Sequence, residues 1–185
     1  MPAATSNRSP KRRGVWMVLV FALLSLSSSS PASPVAGFPV VTLEALDKQK
    51  LTVPPGLEGQ LNLLLLSFAR DQENQLATWT ATAQALQHTD FTFRAYRMPV
   101  LERQNELLRW WQNASLRSDE TDPQLWHWTV PLYVDKAQFR AQLGIADEKS
   151  VVALLVDRGG HILWRATGAS TPESRMSLRA AAVAR

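Results

Sequence analysis

Apolar and polar positions along this chain change period several times, and each change predicts an element. Val41, Leu43, Leu46, Leu51 and Val53 flank the polar stretch Asp47–Lys50, which predicts two short extended pieces joined by a turn. Pro54-Pro55-Gly56 then interrupts the chain. Leu61 to Phe68, LNLLLLSF, is a near-continuous apolar run of strand length, as expected of a strand buried on both faces. Leu76, Trp79, Ala83 and Leu86 follow at helical spacing, with Asp71 placed to cap the helix. Over Asp90 to Arg97 the period returns to two: Phe91, Phe93 and Ala95 alternate with Thr92, Arg94 and Tyr96.

Beyond Pro99, the residues Leu101, Leu107, Leu108, Trp111 and Leu116 predict a second helix over Val100–Leu116. Ser118 to Pro123 is acidic and polar and reads as a loop. Trp128 to Val134 reads as a short strand, and Pro131 within it favours an edge position. Asp135 is placed to cap a short helix that stops at Gly144. Val151–Asp157 and Ile162–Ala166 predict a hairpin around Arg158-Gly159-Gly160, with glycine supplying positive φ in the turn. Thr171-Pro172 opens a last helix, Thr as N-cap and Pro in the first turn. The order β β β α β α β α β β α predicts an α/β sandwich: a central mixed sheet, helices on both faces and an N-terminal β extension.

The N-terminus has a different character. Arg8, Lys11, Arg12 and Arg13 precede the apolar run Val15–Leu26, a serine-rich stretch and Ser30-Pro31-Ala32. That is the order of a secretory leader, with small residues placed for cleavage after Ala32. The apolar run is short of the roughly 20 residues that span a bilayer. With the serines, residues 15–30 are the alternative, an uncleaved anchor in the inner membrane. The expected organisation is a leader over 1–32, a Pro/Ser/Ala-rich linker over 33–39 and one domain over 40–185, exported to a bacterial periplasm. The net charge of +4 belongs to the leader: without those four cations, 16 basic residues balance 16 acidic ones. A neutral body gives no electrostatic reason to expect nucleic acid as partner.

The element order and several segments resemble the thioredoxin superfamily in its extracytoplasmic, peroxiredoxin- or TlpA-like form. The segments are Leu64–Ala69 followed by Trp79, then Tyr96-Arg97-Met98-Pro99, then Tyr133–Ile145, then Leu155-Val156-Asp157-Arg158 with Ile162, Trp164, Arg165 and Gly168. Within that superfamily they are similar to the mitochondrial ATP-synthase assembly factor with a thioredoxin-like fold and its bacterial relatives. The resemblance implies a three-layer thioredoxin-like sandwich and a role in assembling a membrane complex. It also implies a thiolate at the start of the first core helix and a cis-proline before the late strand. This chain has no cysteine. Ala69-Arg70-Asp71-Gln72-Glu73-Asn74 occupies the first place and Asp147-Glu148-Lys149-Ser150 the second. Disulfide exchange and peroxide reduction require a thiol, so the expectation is a redox-inactive scaffold.

Few other residues suggest chemistry. Asp71 and Glu73 either cap the first core helix or receive a basic partner. Adjacent Trp110 and Trp111 cannot both face one core, so one is expected to point outward. If Trp126, His127 and Trp128 lie on a strand, the tryptophans share one face and His127 the other. These aromatics either close the edge of a small core or form a binding patch. His88, His127 and His161 lack a second ligand at metal spacing, and Ser67 has no neighbouring base. No catalytic, cofactor or metal residue is therefore expected. The leading expectation is a protein partner, bound through Asp71, Glu73, Trp110, Trp111, Trp126, His127 and Trp128; non-thiol chemistry involving Asp71, Glu73 or His127 is the alternative. Membrane contact is expected only through the N-terminal segment.

Overall fold

A computed structural model describes residues 37–184. The leader and most of the linker lie outside the described residues. The N-terminal strands β1 (Val41–Glu44) and β2 (Lys50–Val53) pair antiparallel around the Asp47 turn. The main sheet holds β3 (Leu61–Ser67), β4 (Phe93–Glu102), β5 (Leu132–Val134), β6 (Val152–Asp157) and β7 (Ile162–Thr167). Their spatial order is β5-β4-β3-β6-β7. β3 runs parallel to β4 and antiparallel to β6, so the leucine-rich strand is central, and all seven of its residues are buried.

Strand alternation divides those leucines between two cores. Leu64 and Leu66 join Tyr96, Met98, Leu154 and the side chains of the N-terminal hairpin. Phe139 and Leu143 of α3 (Lys136–Leu143) cover that face. Leu61, Leu63 and Leu65 face Leu76, Trp79, Ala83 and Leu86 of α1 (Glu73–Gln87) and Leu178 of α4 (Pro172–Val183). A sheet covered on both sides explains why β3 reads as an unbroken apolar run. Phe38, inside the stretch expected to be linker, is buried against Phe139 with ring centroids 5.9 Å apart.

The expected caps at the later helices form: Asp135 accepts from the Gln138 N–H, Gly144 ends α3 at φ 61°, and Thr171 makes a capping box with Ser174. Gly59 is required by close approach, since a Cβ there would lie 2.5 Å from the Leu61 carbonyl oxygen. Its backbone instead satisfies the buried Asn62 amide in both directions, at 3.0 and 2.9 Å.

Four expectations need correction. Asp71 does not cap α1; it lies exposed in a short 3-10 turn, Arg70–Gln72, and Gln72 takes the N-cap position. Phe91 is outside the strand and 86% exposed, because Asp90 folds a turn by accepting from the Thr92 N–H and hydroxyl. β4 runs on through Pro99 to Glu102. Arg97 uses its N–H and carbonyl on the β5 side, bonding Trp128 and Val130. Pro99, two residues later, turns its missing N–H to the same side, where β5 has only three residues. The second helix, α2 (Glu106–Asp119), consequently starts later than expected and is capped by Asn105. Finally, Trp126, His127 and Trp128 lie in a turn after a 3-10 segment, Pro123–Leu125, and β5 begins only at Leu132.

Candidate functional site

Parallel β3 and β4 end side by side, and the chain must leave both at the same edge of the sheet. A groove of about 690 Å³ opens there. Ser67, Phe68 and Ala69 line it as the chain leaves β3, and Glu73 and Leu76 line it from the first turns of α1. Arg97, Pro99, Val100 and Leu101 form its floor, with Gln112, Leu116, Asp119 and Glu120 on the α2 side. Crevices beyond the carboxyl ends of strands are where open α/β sheets commonly bind ligands.

The charges inside this groove answer one another. Arg97 bridges its two walls, with Nη2 2.6 Å from Oε1 of Glu73 and Nη1 2.8 Å from Oε2 of Glu120. Arg70 reaches Asp119 at 3.1 Å and the Ser115 hydroxyl at 2.9 Å. The start of α1 is thus tied to the end of α2 by two arginines. Beneath them Gln72 is buried: its Oε1 accepts from the Phe68 N–H at 2.8 Å, and its Nε2 donates to the Glu148 carbonyl at 2.6 Å. These bonds fix the loop that a thiol would occupy in the family the sequence resembles. No histidine lines the groove, so Ser67 has no imidazole base within it.

Other expected site residues are dispersed. Glu73 is in the groove, but neither Asp71 nor His127 lines it. Nδ1 of His127 lies 2.8 Å from Asp47 and Nε2 lies 2.7 Å from Glu58. Burial alone would lower its pKa, but the hydrogen bonds and charges of the two carboxylates outweigh that and hold it above the ordinary value. An imidazolium donating from both nitrogens has no lone pair for a metal. Asp47 is lowered: burial opposes its charge, but the Gln49 N–H and His127 more than compensate. The cluster clamps the N-terminal hairpin and the loop before β3 to the turn after α2.

Trp128 is half-buried, edge-on to Tyr96 at 5.4 Å and to His127 at 4.6 Å. Trp126 donates its indole N–H to the Glu120 carbonyl at 3.2 Å. Trp110 and Trp111 behave otherwise, and both point outward, at 67% and 65% exposure. One α2 wall of a second, smaller cavity includes Trp110. Among the described residues, no group of three His, Cys, Asp or Glu side chains is arranged to hold a metal ion.

Arg97, Glu120 and Gln72 were not among the expected site residues. A signal existed for Arg97: a charged residue in a strand covered on both faces needs partners. Nothing local in the sequence identifies Glu120 or Gln72.

No protein-family signature matches the chain, and neither does any curated protein. Solved structures do. The thioredoxin domain of a thiol-disulfide oxidoreductase from Bacteroides vulgatus aligns at TM-score 0.53 and 15% identity, covering 81% of this chain and 98% of that one. BsSco, a member of the Sco family of cytochrome c oxidase assembly proteins, aligns at TM-score 0.54 and 13% identity, covering 83% and 98%. The exposed lipoprotein thioredoxin of Streptococcus pneumoniae aligns at TM-score 0.51 and 11% identity, covering 76% and 97%. At these identities the likeness concerns the fold. With its central β3, its parallel β3–β4 pair and its late β6–β7 hairpin, this cysteine-free chain has the thioredoxin-like fold.

Proposed function

We propose that this protein is an exported, redox-inactive thioredoxin-like factor that holds a segment of another protein in the groove at the ends of β3 and β4. Its role would be in assembly or as a chaperone. One observation carries the reading: the groove is open and large, yet its charges are already paired with one another and it contains no thiol. Side chains committed in this way make a shaped surface rather than a reactive centre. Leu101, Leu116 and Leu125 supply apolar contact, and the Arg97 network keeps the two walls at a fixed spacing. Kinship in fold with an assembly protein and with an exposed lipoprotein supports the assembly role and export. The enzyme alternative places Asp71, Glu73 or His127 in the groove; of these only Glu73 lines it, and both of its carboxylate oxygens accept from Arg97.

The test is site-specific photocrosslinking from a benzophenone side chain at Gln112, in the cell of origin. A discrete crosslinked protein is expected, and it should be lost when Leu101→Arg fills the groove floor with charge. Circular dichroism of that variant checks that it is folded. Absence of any crosslinked protein from Gln112, or an adduct indifferent to Leu101→Arg, overturns the reading.

A further inference from the structure

α2 presents four of its large apolar side chains outward, while Leu116 lines the groove. Leu107, Leu108, Trp110 and Trp111 are 73%, 50%, 67% and 65% exposed. At 100° per residue these four positions span about 160° of the helix circumference. Asn113, on the opposite side, is the helix's one buried residue. Large apolar residues gathered on one exposed face mark an interaction surface. This one is convex: the side chains stand on the back of a helix, away from the groove.

One flank of the face is basic. Trp110 shares a cavity with Lys48, Lys50, Arg109 and Arg117. Glu44 and Glu106 line it too, which leaves the cations in excess by two. Among the described residues, none of the four cations has a salt-bridge partner, whereas Arg70, Arg97, Lys136 and Arg140 all do. Arg109 and Arg117 turn to the inward side of the helix, over the Tyr133 ring and onto the Leu46 carbonyl, whereas Lys48 and Lys50 are exposed. Exposed lysines without a salt-bridge partner, next to protruding tryptophans, are complementary to a layer that is apolar inside and anionic at its surface. Tryptophan is enriched at the bilayer interface, and lysine stems reach past apolar contacts to place their ammonium groups among phosphates. Among the described residues no helix is long and apolar enough to cross a membrane, so contact would be with the surface.

From this arrangement we infer that the outer face of α2 docks the protein onto an anionic lipid surface. Leu107, Leu108, Trp110 and Trp111 enter the headgroup–acyl boundary, and Lys48 and Lys50 meet the headgroups. The contact is an amphipathic helix lying in the plane of the interface. It is separate from the groove and orients the protein, whichever occupant the groove has. If residues 15–30 are the uncleaved anchor, the alternative to a cleaved leader, they bring the chain to a membrane by themselves, so the test must distinguish docking by α2 from tethering by the leader.

The absence of native cysteine makes that distinction direct. The full chain would be prepared with a single cysteine at Leu107, at Ala114 on the same face, or at Met176 on α4, each carrying an environment-sensitive fluorophore. The probe is a vesicle of phosphatidylethanolamine and phosphatidylglycerol. Labels at 107 and 114 should shift to the blue on vesicles, and the label at 176 should remain aqueous. Lys48→Glu/Lys50→Glu should weaken the shift at 114 about tenfold or more in lipid titrations, and Trp110→Ser/Trp111→Ser should abolish it. Labels at 107 and 114 that stay aqueous on vesicles overturn the inference and leave the leader, or a protein, as the contact. A shift without lipid that grows with protein concentration overturns it in favour of a second copy of the chain.

Discussion

α1 and α2 are nearly equal in length, 15 and 14 residues, and both carry large apolar side chains at helical spacing. In α1 those side chains are the core: Leu76, Trp79, Ala83 and Leu86 pack on β3. In α2 all but Leu116 are the surface. The inward side of α2 is fastened by polar groups instead. Tyr133 donates to Asn113 at 2.7 Å, Arg117 donates to the Leu46 carbonyl at 2.6 Å, and the Arg109 guanidinium lies 5.1 Å from the Tyr133 ring centroid. Periodicity shows that a helix has a face but not what the face meets. Burial of α1 follows from the wide apolar sheet beneath it. α2 lies beside the short β5 and the small N-terminal hairpin, where the Tyr133 hydroxyl and the Leu46 carbonyl meet Asn113 and Arg117.

The largest expected effect separates the two helices through their tryptophans. Trp79 is fully buried, edge-on to Trp164 at 5.8 Å, and its indole donates to the Gly168 carbonyl at 2.7 Å. Trp79→Ala should cost about 3–5 kcal/mol of unfolding free energy in urea titrations. Trp111→Ala should change it by less than about 0.5 kcal/mol. A cost of several kcal/mol at Trp111 would break the contrast, because it would mean that the outer face of α2 is packed against something in solution.

An intermediate effect tests the polar side of α2. Burial pushes the Tyr133 phenol up to about 12, so it remains a hydrogen-bond donor at any ordinary pH. Asn113→Ala removes its acceptor and should cost about 1 kcal/mol. Asn113→Asp, which retains an acceptor for the phenol, should be less damaging in the same titration. Equal losses from both substitutions would show that packing, rather than this hydrogen bond, holds the helix.

What could be read in the sequence follows the same division. Where apolar burial or a short-range cap decides, the pattern sufficed: central β3, the inward face of α1, the β6–β7 hairpin and the caps at Asp135 and Thr171 are all in place. Where long-range polar contacts decide, it did not. Pro99 resembles a strand stop until β5 is seen to be too short to need its N–H. Trp126 to Trp128 resemble a strand until Glu120, Tyr96, Asp47 and Glu58 are seen to hold them in a turn. Arg165 is a further case: it donates to the Leu143 and Gly144 carbonyls at the end of α3. Apart from Glu120, six residues before Trp126, these partners lie tens of residues apart, and no window of local sequence contains both.

The smallest expected effect is also electrostatic, and pH reaches it without disturbing α1. His127 holds Asp47 and Glu58 as an imidazolium, with its pKa raised in the folded protein. Its contribution is complete below the ordinary histidine value of 6.5, where folded and unfolded chains both carry the proton. It is lost as pH climbs through the raised folded value, where one ring nitrogen must face a carboxylate without a proton. Asp47 works in the opposite sense: its lowered pKa contributes above the ordinary carboxylate value of 3.8 and is lost as pH falls through the folded value. The clamp is therefore strongest in mildly acidic solution. Unfolding free energies at pH 6 and pH 8.5 should differ by up to about 1 kcal/mol on its account, the range of partly exposed ion pairs. Comparison with His127→Gln isolates this from the His161–Asp157 pair, which both proteins keep. The variant should lose stability at pH 6 and approach the parent at pH 8.5. Parallel pH profiles would show that the hairpin is held by Phe38, Leu43 and Val53 in the core, as α1 is, rather than by charge.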